Sequence, residues 1–404
     1  MKQLTLKSEN EIYLDQRVRR IAPVLLFTGL AFLVLSLILS TLGEGSIKNF
    51  LSSYLVSFCY FLSIALGALF FVMLQFITRA SWSVVIRRIA EFISATFPFL
   101  LVMFLPILLG LPTLYKWADA GIVAQDALLQ AKSIYLNMPF FVFRVIFYLL
   151  IFSLVSVYFL RNSLVQDSTG NSNITVSLQR VSAPGLIVFG LTLTFLSFDL
   201  IMSLEPHWYS TIFGVYFFAG SAIAIFAFLI VLSLFLQCFG KMKNLISIDH
   251  YHDLGKFLFG FLVFWAYLGF SQYMLIWYAN IPEETAWYIK RQSPEWISLS
   301  ILIVIGHFII PFFGLLSRFV KRRKPLLGFW AVYMLLMHYL DLYWLIMPEL
   351  RSGTGSIALI DVLTLTGFFA IFVSFLVFLA GARPLIPIQD PRLSDSLKFV
   401  EVGV

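Results

Sequence analysis

Residues 212–237 read IFGVYFFAGSAIAIFAFLIVLSLFLQ, a run without a single charged side chain. About 20 apolar residues in a helix cross the hydrocarbon of a bilayer, so this run predicts a membrane span. Nine further stretches have the same character, at 21–42, 50–77, 93–114, 138–160, 184–203, 255–279, 297–317, 325–346 and 357–381. Backbone polar groups in hydrocarbon must be paired within their own segment, which makes each span a helix. The short alternating segments of a membrane β-barrel are absent. The pattern predicts an all-α polytopic membrane protein with a segment at 1–20, a ten-helix transmembrane domain at 21–381 and a tail at 382–404.

The composition agrees, with 60 % hydrophobic and 12 % charged residues over 404 positions, outside the range of an ordinary soluble domain. The formal charge of +7 would suit nucleic acid, but the placement of the charges excludes that class. With ten spans both termini share a side, and that side carries 21 of the 28 Lys and Arg residues, five of them between Arg318 and Lys324. The opposite side has six, and Arg144 lies inside span 4. The positive-inside rule makes both termini cytoplasmic. The polar, charged residues 1–20 do not read as a cleavable signal peptide. Two cysteines, Cys59 and Cys238, form no haem-attachment or iron–sulfur spacing, so redox work by this chain would need a diffusible carrier or partner subunits that hold the metals.

The loops opposite the termini are rich in aromatic, proline and acidic residues, notably 204–211 and 278–296. They suit either docking to another protein or the interfacial aromatic belt of membrane proteins. Asp199-Leu200 is followed by Pro206, and Asp341-Leu342 by Pro348 at the same offset. Spans 5 and 9 run in the same direction, so the match predicts a parallel repeat of two four-helix bundles, spans 2–5 and 6–9, flanked by spans 1 and 10.

Ionisable residues inside hydrocarbon are costly and mark proton, ion or substrate routes. Most here fall in the half away from the termini. Arg144 lies six residues inside span 4, about 9 Å deep at about 1.5 Å per residue. Asp199 is near the outer end of span 5, His307 is near the middle of span 8, and Gln272 and Asp361 lie in the outer halves of spans 7 and 10. His338 and Asp341, at i and i+3, share one face of span 9, where the carboxylate could orient the imidazole. Taken as one cluster, these groups suit a quinol head group, a proton path, or both. The structural alternative is an Arg144–Asp199 ion pair fastening two helices, with the histidines hydrogen-bonded in the interior. A b-type haem between His307 and His338, or a surface metal at His250 and His252 in a cytoplasmic loop, are weaker alternatives. A secondary transporter would show matched helix breaks in the two halves, and Pro106 and Pro311 are not in equivalent spans.

The run Phe198-Asp199-Leu200-Ile201-Met202-Ser203-Leu204-Glu205-Pro206-His207-Trp208-Tyr209-Ser210-Thr211, continuing to Tyr216, is long and unusual, as is Trp277-Tyr278-Ala279-Asn280-Ile281-Pro282-Glu283-Glu284-Thr285. With Asp341, Trp344 and Pro348, these motifs make the chain resemble the smaller of two NrfD-like membrane subunits of bacterial alternative complex III, a quinol:cytochrome c oxidoreductase. The resemblance extends over nearly the whole chain. It implies a bacterial inner-membrane subunit that is not an enzyme on its own, with no haem or iron–sulfur cluster, and with menaquinol or ubiquinol as the ligand of the complex. Implied partners are the larger NrfD-like subunit, an iron–sulfur protein, c-type cytochromes and, as a further candidate, a terminal oxidase. In that family the larger subunit is the usual place of quinol oxidation, so the Asp199, His307, His338 and Asp341 group would conduct protons or be the remnant of a duplicated site. Glu205 and His207 would sit at the outer end of the proton path. A purely structural anchor is the remaining alternative.

Overall fold

Apolar residues on every face of a helix can be satisfied only by protein or lipid all round, and this governs the architecture. The structure, a computed structural model, describes residues 11–42, 47–351 and 355–400. Positions 1–10 of the expected N-terminal segment and 401–404 of the tail lie outside these. Ten helices are long and apolar enough to cross a membrane. They are α1 Gln16–Leu42, α2 Ile47–Ile77, α3 Val84–Leu109, α4 Met138–Thr169 and α5 Asn173–Leu204. The others are α6 Phe213–Cys238, α7 Ile248–Ala279, α8 Ile297–Leu316, α9 Lys324–Leu350 and α10 Leu359–Ala380. No strand occurs among the described residues. The expected spans are all present. Several reach further than their apolar stretches, because α4, α5 and α7 continue past the apolar edge with polar turns such as residues 161–169 and 248–254.

Helices α2 to α5 pack as one four-helix bundle and α6 to α9 as a second, joined through α2 and α6, while α1 and α10 pair on the flank. This is the expected plan. Buried on almost every face, α2 and α6 are the central helices, whereas α1 and α8 show most of their surface to the surroundings. Small residues let the central pair approach closely: a side chain at Gly67 would collide with the Ser221 carbonyl of α6. In the same way, a Cβ at Gly29 of α1 would lie 2.7 Å from the Gly367 carbonyl of α10.

Both termini pack at one end. The Leu385 N–H donates to the Ile12 carbonyl (2.7 Å) and the Met242 N–H to the Glu11 carbonyl (3.0 Å). Beneath the tail, Arg87 pairs with Asp390 (2.6 Å) and Glu91 (3.2 Å), and Arg88 with Glu91 (2.9 Å) and Asp167 (2.8 Å). We call this the terminal end and the opposite one the distal end. His250 and His252 are not in a loop here. They occupy the buried first turn of α7, where the His250 ring meets the Ser247 hydroxyl at 2.7 Å. The reason is local: Ser247 caps a helix that begins earlier than its apolar stretch.

Candidate functional site

Two aspartates at matching places in the two bundles have different partners. In the first bundle, Arg144 of α4 donates to both carboxylate oxygens of Asp199 on α5, at 2.9 and 2.8 Å. Its third nitrogen donates to the Tyr135 carbonyl (2.8 Å), and its guanidinium lies 3.8 Å from the Tyr135 ring centroid. The pair is buried and bidentate, the geometry in which Arg fastens helices. Asp361 of α10 has the same kind of setting, bonded by Arg351 (2.9 Å) and by the Ala358 N–H (2.7 Å).

Asp341 of α9 differs. It is 1 % exposed, and among the described residues no cation pairs with it. Its carboxyl is held by the Tyr216 hydroxyl of α6 (2.6 Å) and the Trp265 indole N–H of α7 (3.2 Å), both neutral donors. His338 lies one turn away, with Nε2 at 2.8 Å from the Ser63 hydroxyl of α2 and no partner on Nδ1. No hydrogen bond joins His338 to Asp341, contrary to the sequence expectation. The shared helix face aims both side chains at Gly220 of α6, and each takes its hydrogen bonds from a neighbouring helix instead. A Cβ on Gly220 would come within 2.9 Å of the His338 ring.

His307 completes the group. It sits in a π-helical segment, Ile303–Ile309, of α8. Pro311 has no N–H to give the carbonyl four residues back, which is that of His307, and its ring crowds that oxygen, so the turn widens. The imidazole packs on Trp265 with ring centroids 4.1 Å apart, and neither ring nitrogen has a partner. The second bundle thus gathers His307, His338 and Asp341, while Arg144 and Asp199 form a separate pair in the first. The single cluster expected across spans 4, 5, 8 and 9 is two sites. Among the described residues no group of three or more His, Cys, Asp or Glu could hold a metal ion.

A cavity of about 700 Å³ lies beside this cluster, bounded by α6, α7, α8, α9 and the short helix Pro282–Arg291. Tyr216 and Trp265 line it, which places them between the cavity and Asp341. The distal roof joins the first unusual motif, through Trp208 and Ser210, to α7 and to the short helix Pro282–Arg291. Trp208 stacks on Trp287 at 4.5 Å, the Ser210 hydroxyl donates to Gln272 (3.0 Å), and Gln272 donates to the Tyr288 hydroxyl (3.0 Å). Arg291 locks the roof to α9 through the Trp344 and Leu345 carbonyls and Glu349. Trp265, Ser63 and Gly220 were not singled out from the sequence, and Tyr216 entered only as the last residue of the first motif. A chain with 17 Tyr and 9 Trp offers no local signal for which of them faces a carboxyl.

Glu205 and His207 are on the distal surface, away from the buried cluster. Glu205 pairs with Lys116 (2.6 Å), and His207 bridges Glu205 (3.1 Å) and Asp126 (2.8 Å). Burial works to raise the Glu205 carboxyl, but the hydrogen-bonded Lys116 ammonium outweighs it and holds the group below its usual range. The Leu129 N–H, followed by His207 among other donors, lowers Asp126. In comparison with known proteins, no family model and no curated sequence matched the chain. The class that fold and site define is an all-α polytopic membrane protein with a buried carboxyl–imidazole cluster in its second bundle.

Proposed function

We propose that this chain is a membrane subunit of a quinol:cytochrome c oxidoreductase of the alternative complex III type, and that its second bundle exchanges protons at Asp341. The terminal end faces the cytoplasm of a bacterial cell, in keeping with the Lys and Arg bias. The distal loops face the partner subunits: the larger NrfD-like subunit, an iron–sulfur protein and c-type cytochromes. Quinol oxidation releases electrons and protons together. The partners carry the electrons, and this chain takes up protons.

The observation that carries this reading is the contrast between the aspartates. Asp199 and Asp361 are fastened by arginines, whereas Asp341 is buried with only a phenol and an indole for partners. Burying a carboxyl without a cation is costly, and such groups inside membranes mark proton routes. His307 and His338, with unpartnered ring nitrogens beside it, supply further proton-accepting sites. The test is Asp341→Asn in the intact complex. Asn keeps the size, and its oxygen can accept from the Trp265 indole while its NH2 donates to the Tyr216 oxygen, so the complex should assemble at wild-type yield while quinol oxidation falls at least tenfold. Wild-type turnover would remove Asp341 from the mechanism. A structural-anchor reading, favoured by the Arg144–Asp199 and Arg351–Asp361 pairs, predicts instead lost assembly and unchanged specific activity.

A further inference from the structure

We infer that Ser63 is a positioning residue for His338: it fixes the imidazole as the Nε2–H tautomer and so leaves Nδ1, on the side of Gly220 and Asp341, as the nitrogen that takes up a proton. The role rests on the proton exchange proposed at Asp341, whereas the tautomer rests on hydrogen bonds alone.

The tautomer follows from counting hydrogens. The Ser63 hydroxyl of α2 lies 2.7 Å from the Tyr60 carbonyl and 2.8 Å from Nε2 of His338. A hydroxyl has one hydrogen to donate and two lone pairs with which to accept. The carbonyl can only accept. When the hydroxyl donates to Tyr60, its oxygen accepts from an N–H at Nε2, and both bonds are made. The opposite arrangement turns the hydroxyl toward Nε2 and moves the imidazole proton to Nδ1. It gives up the bond to Tyr60, and it leaves Nδ1 as a donor with nothing to accept from it, in a residue that is 1 % exposed. The first arrangement has one more hydrogen bond and no orphaned donor. One hydrogen bond sets a preference of about tenfold.

The bare nitrogen faces α6. A Cβ on Gly220 would lie 3.2 Å from Nδ1 and 4.0 Å from Oδ2 of Asp341. The free lone pair and the carboxyl therefore border one point on α6, a point that a side chain larger than glycine's would cover. A proton arriving at Nδ1 forms an N–H bond there and disturbs neither bond of Ser63. Nε2 already carries its proton and can take no other. Proton exchange thus meets the cluster from the α6 side, at Nδ1 and Asp341, while α2 only holds the ring.

The experiment uses the full-length chain in lipid nanodiscs, labelled with ¹³C,¹⁵N-histidine and measured by solid-state NMR at neutral pH. The chain has five histidines. His338→Gln identifies the His338 signals by their loss, and single Gln substitutions of the other four identify them by elimination should that variant not fold. The nitrogen bonded to Cδ2 is Nε2. In wild-type protein it should carry the proton, with Nδ1 bare, in a ratio of about tenfold or more. Ser63→Ala removes the serine bonds of both arrangements, so the ratio should collapse toward unity, and Ser63→Thr, which keeps a hydroxyl, should preserve it. A wild-type ring protonated at Nδ1 or at both nitrogens, or a ratio unchanged in Ser63→Ala, overturns the inference.

Turnover of the intact complex separates this inference from the reading of Asp341. His338→Gln should lower quinol oxidation about tenfold or more, the lower reach of a lost proton acceptor. Full turnover in His338→Gln, with the expected NMR result, means that Ser63 sets a tautomer the reaction does not use, and overturns the role. A wild-type ring protonated at Nδ1, with turnover lost in Asp341→Asn, overturns the inference and keeps Asp341.

Discussion

Arg144→Met tests the division of labour between the two bundles. The substitution leaves the Asp199 carboxylate buried, with its two hydrogen bonds of 2.9 and 2.8 Å removed. Charge-assisted hydrogen bonds contribute about 1.5–3 kcal/mol each. The expected loss is about 3–5 kcal/mol, the range found when one partner of a buried ion pair is deleted. Met retains much of the apolar stem but also removes the guanidinium that lies 3.8 and 4.3 Å from the Tyr135 and Phe140 ring centroids. The double variant Arg144→Met/Asp199→Leu buries no charge and should recover to within about 1–2 kcal/mol of wild type, because replacing a whole buried pair with apolar groups is often close to neutral. Unfolding in mixed micelles by titration with an anionic detergent, followed by helix circular dichroism, measures both. Assembled complex carrying the double variant should oxidise quinol at near wild-type rate. A single variant within about 1 kcal/mol of wild type, or a stable double variant without turnover, would refute the assignment of this pair to structure.

Other perturbations separate the remaining elements. Gly220→Ala sets a methyl 2.9 Å from the His338 ring, which Ser63 holds from the other side. It should cost about 1–3 kcal/mol by overpacking and lower turnover without lowering quinone affinity, measured on one preparation. Gly67→Ala drives a methyl into the Ser221 carbonyl between the central helices, so the yield of folded protein on size-exclusion chromatography should fall sharply. The tail should respond to pH. Burial pushes the Asp390 carboxyl up, but Arg87 at 2.6 Å outweighs it and holds it below the ordinary value of 3.8. A depressed carboxyl stabilises fully above that value, and the contribution is lost as pH falls through the lower folded value. Proteolysis of residues 387–400 should therefore be unchanged from neutral pH down to about 4 and should rise only in stronger acid.

Hydropathy and periodicity are local properties, and they made ten helices, their number and their lipid environment legible in the chain. The Asp-Leu…Pro echo between residues 199–206 and 341–348 also announced the two-bundle plan, because a repeated unit packs in a repeated way. The residues bearing charge in the membrane could be named from sequence as well, since each is rare and costly there. What sequence left open was how those residues pair. Arg144 with Asp199 spans 55 positions, Tyr216 with Asp341 spans 125, and Ser63 with His338 spans 275. No local pattern reports which helix lies opposite a carboxyl. Only the packing of α6 and α7 on α9 decided that Asp341 faces a phenol and an indole while its counterpart faces a guanidinium. The cavity, too, is a property of tertiary structure, arising where α7 and α8 diverge. The physical reason is the same in both cases: burial is set by composition along the chain, but the partner of a buried group is set by which surfaces meet across it.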